Sequence, residues 1–202
     1  MQPALTAMVK AAPPSTEVST HTATATQVAT LTASHTANYT ANHTSTDVRR
    51  LRDALGAYPT GVTVVTTRGP DGRAVGLTVN SFASLSLDPP LLLWSLANRS
   101  PNRRAFRAAS HFAINVLAAD QMALARRFAN PALADKFDGV AWQPADAHEV
   151  PLLAGALASF VCECRDAIEA GDHTLFIGRV EQHTHADGEP LVFHGGHFAA
   201  LR

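Results

Sequence analysis

An excess of either charge is missing from this chain. Its 202 residues hold 16 basic and 17 acidic side chains, a formal net charge of −1. That balance excludes the basic footprint of a nucleic-acid binder or of a protein held on an anionic membrane surface. Long hydrophobic runs are missing too: none approaches the roughly 20 residues of a membrane-spanning helix. Cysteine is scarce, with only Cys162 and Cys164. On a strand their i, i+2 spacing puts the Cα atoms roughly 6.6 Å apart, near the upper limit for a disulfide. They read as reduced thiols, which suits a cytoplasmic protein.

Signature loops are absent as well. No GxGxxG follows a strand and there is no GxxxxGK[ST] loop, so any nucleotide must be held by other means. Without a GxSxG elbow, a Ser-His-Asp hydrolase is a poor reading. His183, His185, His194 and His197 match no closed zinc spacing, and no metal site is expected.

Residues 1–46 differ from the rest. They are rich in Thr, Ala, Ser and His, and Lys10 and Glu17 are their only charged side chains. No apolar stripe offsets the entropy of ordering, so this stretch is expected to be a disordered tail. A transit peptide and a misplaced start are the alternatives, and weak metal binding by its spread histidines is a minor one.

From Thr46 the pattern becomes that of a folded domain over residues 47–202. Val48, Leu51, Leu55 and Tyr58 follow helical spacing, and Gly56 and Pro59 end that helix. The β-branched run from Gly61 to Thr67 predicts a strand. Asp71-Gly72 marks a hairpin, and the chain returns over Ala74 to Asn80. Asp88-Pro89-Pro90 excludes helix, so residues 80–90 are expected to bend before a buried strand from Leu91 to Leu96. Ser100-Pro101 reads as the cap and first position of a helix reaching Ala109. Further strands are expected over 112–117, 157–168, 174–181 and 191–193. A short helix capped by Asp120 should run to Phe128, and residues 131–144 should be irregular. Six or seven closely spaced strands without βαβ alternation predict a mainly β fold, an antiparallel barrel with a few short helices.

Polar residues gather in four places. Thr78, Asn80, Ser81 and Ser84 exceed what a core needs; either they satisfy one another and the backbone, or they face a polar ligand. Ser95 to Ser100 end at a helix start, where free N–H groups suit phosphate. Arg126, Arg127 and Lys136 form a third group, most simply a solvated face. Asp172 and His173, with His194 and His197, form the fourth.

Taken in order, these pieces resemble the flavin reductase-like, FMN-binding split-barrel family. The resemblance rests on Leu55-Gly56-Ala57-Tyr58-Pro59-Thr60-Gly61-Val62-Thr63-Val64-Val65-Thr66-Thr67, on Thr78-Val79-Asn80-Ser81-Phe82, and on Ser84-Leu85-Ser86-Leu87-Asp88-Pro89-Pro90. It continues through Phe112-Ala113-Ile114-Asn115-Val116-Leu117, Arg127-Phe128-Ala129, Lys136-Phe137-Asp138-Gly139-Val140 and Gly171-Asp172-His173. The resemblance implies an antiparallel Greek-key split β-barrel and an NAD(P)H:flavin oxidoreductase. It would use FMN or FAD with NADH or NADPH, form a homodimer, and hand reduced flavin to a flavin-dependent monooxygenase component. Gly76, Leu77, Thr78, Asn80 and Ser81 would line the flavin ring and ribityl chain. Ser95, Leu96, Ala97, Asn98 and Ser100 would hold the phosphate, with Arg127 and Phe128 nearby. His173 would stand on the nicotinamide side as the catalytic residue, with His194 close to it. At His194 the family pattern has an arginine, so how the dinucleotide charge is met departs from it. A non-catalytic flavin- or haem-binding barrel and a pyridoxamine-phosphate oxidase-like enzyme are the alternatives. The latter would need Arg99, Arg103 and Arg104 to converge on a phosphate.

Overall fold

A computed structural model describes residues 45–145, 148–199 and 201. The expected tail, apart from its last two residues, lies outside the described residues. Helix α1 spans Ser45–Gly56, and the chain then enters β1 (Thr60–Gly61), β2 (Thr63–Arg68) and β3 (Ala74–Val79). Next come β4 (Ala83–Leu87), β5 (Pro90–Ala97), α2 (Arg103–Ala108) and β6 (His111–Val116). A 3-10 turn at Ala119–Gln121 leads into α3 (Met122–Ala129). The remaining strands are β7 (Trp142–Pro144), β8 (Pro151–Leu153), β9 (Ala158–Ala170), β10 (His173–His185), β11 (Val192–His194) and β12 (His197–Ala199).

Seven strands form one antiparallel sheet in the order β3-β2-β6-β9-β10-β5-β4. Its end strands, β3 and β4, do not pair with each other, so the sheet curls into a barrel with a split. The long returns that set β2 beside β6 and β10 beside β5 agree with the expected Greek-key split barrel. A three-stranded sheet, β1-β11-β12, and a β7-β8 pair complete the fold.

The β-branched run becomes a strand because every side chain on it finds cover. Thr63, Val64, Val65, Thr66 and Thr67 are all buried. Alternation sends Val65 into one cluster with Leu92, Trp94, Phe106 and Ile114, and Val64 into another with Leu117, Phe128 and Leu191. Trp94 lies in the first, stacked on Phe176 at 4.6 Å and edge-on to Phe106 at 5.0 Å. Cys162 is buried there too; burial, then the nearby Glu181 carboxylate, pushes its thiol up to about 12.

Five local expectations are corrected, one of them being the irregular stretch 131–144, whose last three residues form β7 against β8. Residues 83–87 form a strand rather than part of a bend, because β5 offers them a free edge; Ala83 pairs with Leu93 and Ser84 with Leu92. The run from 60 to 68 serves two sheets, since β1 leaves the barrel to pair with β11. Ser100 does not cap a helix: its Oγ accepts from the Asn102 N–H at 3.3 Å in a turn, and α2 starts at Arg103. Nor does Asp120 cap the helix to Phe128, which begins at Met122 with Gln121 before it. The apolar stripe of α1 is exposed, with Leu51 57% and Leu55 66% exposed.

Candidate active site

The chain leaves β3 at one edge of the barrel and crosses the split to reach β4 at the other. Asn80, Ser81 and Phe82 make that crossing. Ser81 locks it: its Oγ accepts from the Ser95 N–H at 3.0 Å and donates to the Ser95 carbonyl at 3.1 Å. The pairing of β4 along β5 starts at Leu93, so the Ser81 hydroxyl does for Ser95 what a neighbouring strand would do.

Beside this clasp lies a crevice of about 600 Å³, within the usual range for a small-molecule site. Of the expected residues, Leu77, Thr78, Asn80 and Ser81 line one side. Ser95, Leu96, Ala97, Ser100 and His173 line it as well. Since β3 pairs only with β2, half of its main-chain groups face no other strand. Arg99, named above only for the phosphate of the pyridoxamine-phosphate oxidase-like alternative, is the one Lys or Arg among the described lining residues. None of those residues is a carboxylate. The crevice can therefore take an anionic ligand without repulsion from its own walls, and no nucleophile–base pair is assembled in it.

Several expected contributors are committed elsewhere. The Thr78 hydroxyl donates to the Ala125 carbonyl in α3 at 2.6 Å. Asn98 clamps the turn before β10: its N–H donates to the Asp172 carbonyl at 2.8 Å and its Nδ2 to Gly171 O at 3.3 Å. Its Oδ1 accepts from the Thr174 hydroxyl at 2.7 Å. Gly171 sits at φ 60°, a left-handed conformation that glycine adopts without strain. The clamp delivers His173, whose Nδ1 lies 2.7 Å from Asp172 Oδ1. That bond and the charge of His173 hold the exposed Asp172 carboxyl below its usual range.

Arg127, Phe128, Gly76 and His194 lie outside the crevice lining. The Arg127 guanidinium donates to the carbonyls of Lys136 at 2.7 Å and Asp138 at 2.6 Å. Lys136 in turn donates to Phe128 O at 2.7 Å, and burial pushes its ammonium pKa down. Together they tie the 131–140 segment to α3. Phe128 is buried directly beneath Gly76, where an added Cβ would stand 2.7 Å from the Phe128 ring. Gly76 is thus small for a packing reason. His194 is exposed on β11 and pairs with His197 across the hairpin. Ser84 faces away on β4 as an exposed residue.

Residues 55–202 match the family model described as flavin reductase like domain. The chain is 52% identical over 150 residues to the FMN reductase (NADH) SmoA of Agrobacterium fabrum, covering 74% of this chain and 84% of that protein. It is 46% identical to the reductase component of the flavin-dependent trigonelline monooxygenase of Acinetobacter baylyi, over 74% of this chain but 47% of that one. Among solved structures, the Streptomyces globisporus NADH:FAD oxidoreductase SgcE6, in complex with NAD and FAD fragments, superposes with a TM-score of 0.74. It is 38% identical, and the match covers 80% of this chain and 97% of that chain.

Proposed function

The chain belongs to the flavin reductase-like family, and from that premise we propose that it transfers hydride from NAD(P)H to FMN or FAD. Reduced flavin then passes to a partner monooxygenase component. The observation that carries this reading is one crevice, at the split of the barrel, lined jointly by Asn80, Ser95 and His173.

When bound, the nicotinamide supplies a hydride and the flavin ring accepts it. The work left to the protein is binding and orientation, with reacting atoms brought to about 3–3.5 Å. Main-chain N–H groups on the free edge of β3 suit the end of a flavin where negative charge grows, because such donors need no reorganisation. Ser81 keeps that edge at a set distance from β5. Ser100 and Arg99 supply a hydroxyl and a cation for a phosphate. His173 stands at the nicotinamide side, oriented by Asp172. No general acid is needed, which fits walls without a carboxylate.

The pyridoxamine-phosphate oxidase-like alternative loses support from the same geometry. Arg103 is bound to Glu169 at 2.6 Å, and Arg104 lines a different cavity from Arg99. The three arginines therefore do not converge on one phosphate.

The direct assay uses the full chain with NADH or NADPH and free FMN or FAD. Flavin-dependent loss of nicotinamide absorbance is expected, and none with either nicotinamide would end the enzyme reading; bound yellow colour without turnover would point to a binding module.

We place the protein in the cytoplasm as a homodimer. Among the described residues no helix is long and apolar enough to cross a membrane, and both cysteines are free. The exposed stripe of α1, with Leu51 57% and Leu55 66% exposed, is the surface assigned to the second copy. Sedimentation equilibrium should return twice the chain mass, falling to the monomer in Leu51→Arg; a monomeric wild type refutes the assignment.

A further inference from the structure

We propose that His111, His148 and Glu181 bind a divalent transition-metal cation of the zinc class, at a site sharing no residue with the crevice. The three come from separate parts of the chain. His111 opens β6, Glu181 lies in β10, and His148 lies between β7 and β8. Nε2 of His111 is 3.3 Å, and Nε2 of His148 3.1 Å, from the same Glu181 Oε2. Bonds of about 2.0–2.1 Å to tetrahedral zinc put neighbouring ligand atoms roughly 3.3 Å apart. The two measured separations match that edge, and all three ligand atoms lie within 4.8 Å of one another.

The surroundings aim these groups. Pairing between β9 and β10 slips between Val180 and Gln182, leaving Glu181 at a bulge. A bulge re-aims the side chain it carries. The His111 Nδ1 is engaged by Ser110 Oγ at 3.0 Å, and its carbonyl accepts from Thr67 Oγ1 at 2.7 Å. This leaves Nε2 as the liganding nitrogen, the outer-sphere arrangement common to metal-bound histidines. Arg179 reaches the other carboxylate oxygen, Oε1, at 3.5 Å, and also holds Glu163 at 2.9 Å. Oε2 is left to face the imidazoles.

The two rings are stacked 3.5 Å apart at 10°. Side-chain exposures of 16%, 31% and 28% for His111, His148 and Glu181 leave a path for an ion and for water as a further ligand. Each ring offers its lone pair in its own plane, so the proposal requires His148, on the segment between β7 and β8, to swing out of the stack when an ion binds. Two imidazoles and one carboxylate suit zinc, cobalt, nickel or copper better than magnesium or calcium.

The test uses the full chain stripped with EDTA, then titrated with Zn²⁺ alone by calorimetry and by thermal melting. Expected is one tight equivalent per chain and a melting point raised by several degrees. In His148→Gln and in Glu181→Gln that equivalent should weaken at least tenfold and the rise should vanish. Weak binding by histidines elsewhere should persist in both. Equal affinity and stoichiometry in wild type and His148→Gln, or no Zn²⁺ effect on wild-type melting, overturns the proposal and leaves two histidines that only meet the Glu181 carboxylate. If Glu181→Gln fails to fold, His148→Gln decides alone.

Discussion

His173→Ala is expected to raise the NADH concentration for half-maximal flavin reduction roughly tenfold, about 1.4 kcal/mol, with FMN affinity changed by less than about twofold. The reason is position. His173 is the first residue of β10 and borders the crevice beside Ser95 and Ala97 of β5. Its ring is anchored by Asp172 at 2.7 Å, so one edge is held and the other is free for a ligand. The FMN contacts assigned to β3 and to residues 95–100 do not pass through it. Asn98→Ala tests the same idea one step back. Asn98 touches the turn at Gly171, Asp172 and Thr174. Losing its side chain should loosen His173 and shift the NADH requirement in the same direction by a smaller factor. Steady-state kinetics over NADH concentration, paired with FMN titration by fluorescence quenching, separates the effects. A His173→Ala protein that loses FMN as fast as it loses NADH would place the histidine on the flavin side.

Asn115→Leu is expected to cost about 3–5 kcal/mol of stability. Asn115 is fully buried in β6. Its Nδ2 donates to the Val64 carbonyl at 3.1 Å and to Thr66 Oγ1 at 3.3 Å. Its Oδ1 accepts from the Leu153 N–H and the Ser159 hydroxyl, each at 3.0 Å. One amide thus joins β2, β6, β8 and β9. Leucine fills a similar volume but takes the partner from the Leu153 N–H and from the Ser159 hydroxyl. Each such buried group costs about 1–3 kcal/mol. At about 2–4 °C per kcal/mol for a chain of this size, the melting point should fall by about 10 °C. Urea unfolding checks the figure; a loss under about 1 kcal/mol would mean that water replaces the amide.

These two residues divide what could be read along the chain from what could not. The run 112–117 is visibly a strand, yet nothing in its alternation separates Asn115 from a solvent-facing polar residue. Its four partners lie 38 to 51 positions away. The turn at Gly171-Asp172-His173 was legible because it is local, whereas the part given to His173 came from the family resemblance alone. The metal-site candidate escaped notice because His111, His148 and Glu181 have no shared spacing at all.

By itself the sequence determined the antiparallel β class, the turns, the buried β2 and the family likeness, because propensity, alternation and proline or glycine stops act over a few residues. It also named most of the polar groups that border the crevice. Tertiary structure alone decided which of the polar groups named from the sequence border the crevice and which of them are available. Thr78 is tied to Ala125, Arg127 to the carbonyls of Lys136 and Asp138, and Asn98 to the 171–174 turn. A side chain's hydrogen-bonding capacity is a property of its type, whereas the partner that takes it up is set by how a sheet curls and which edge it leaves open.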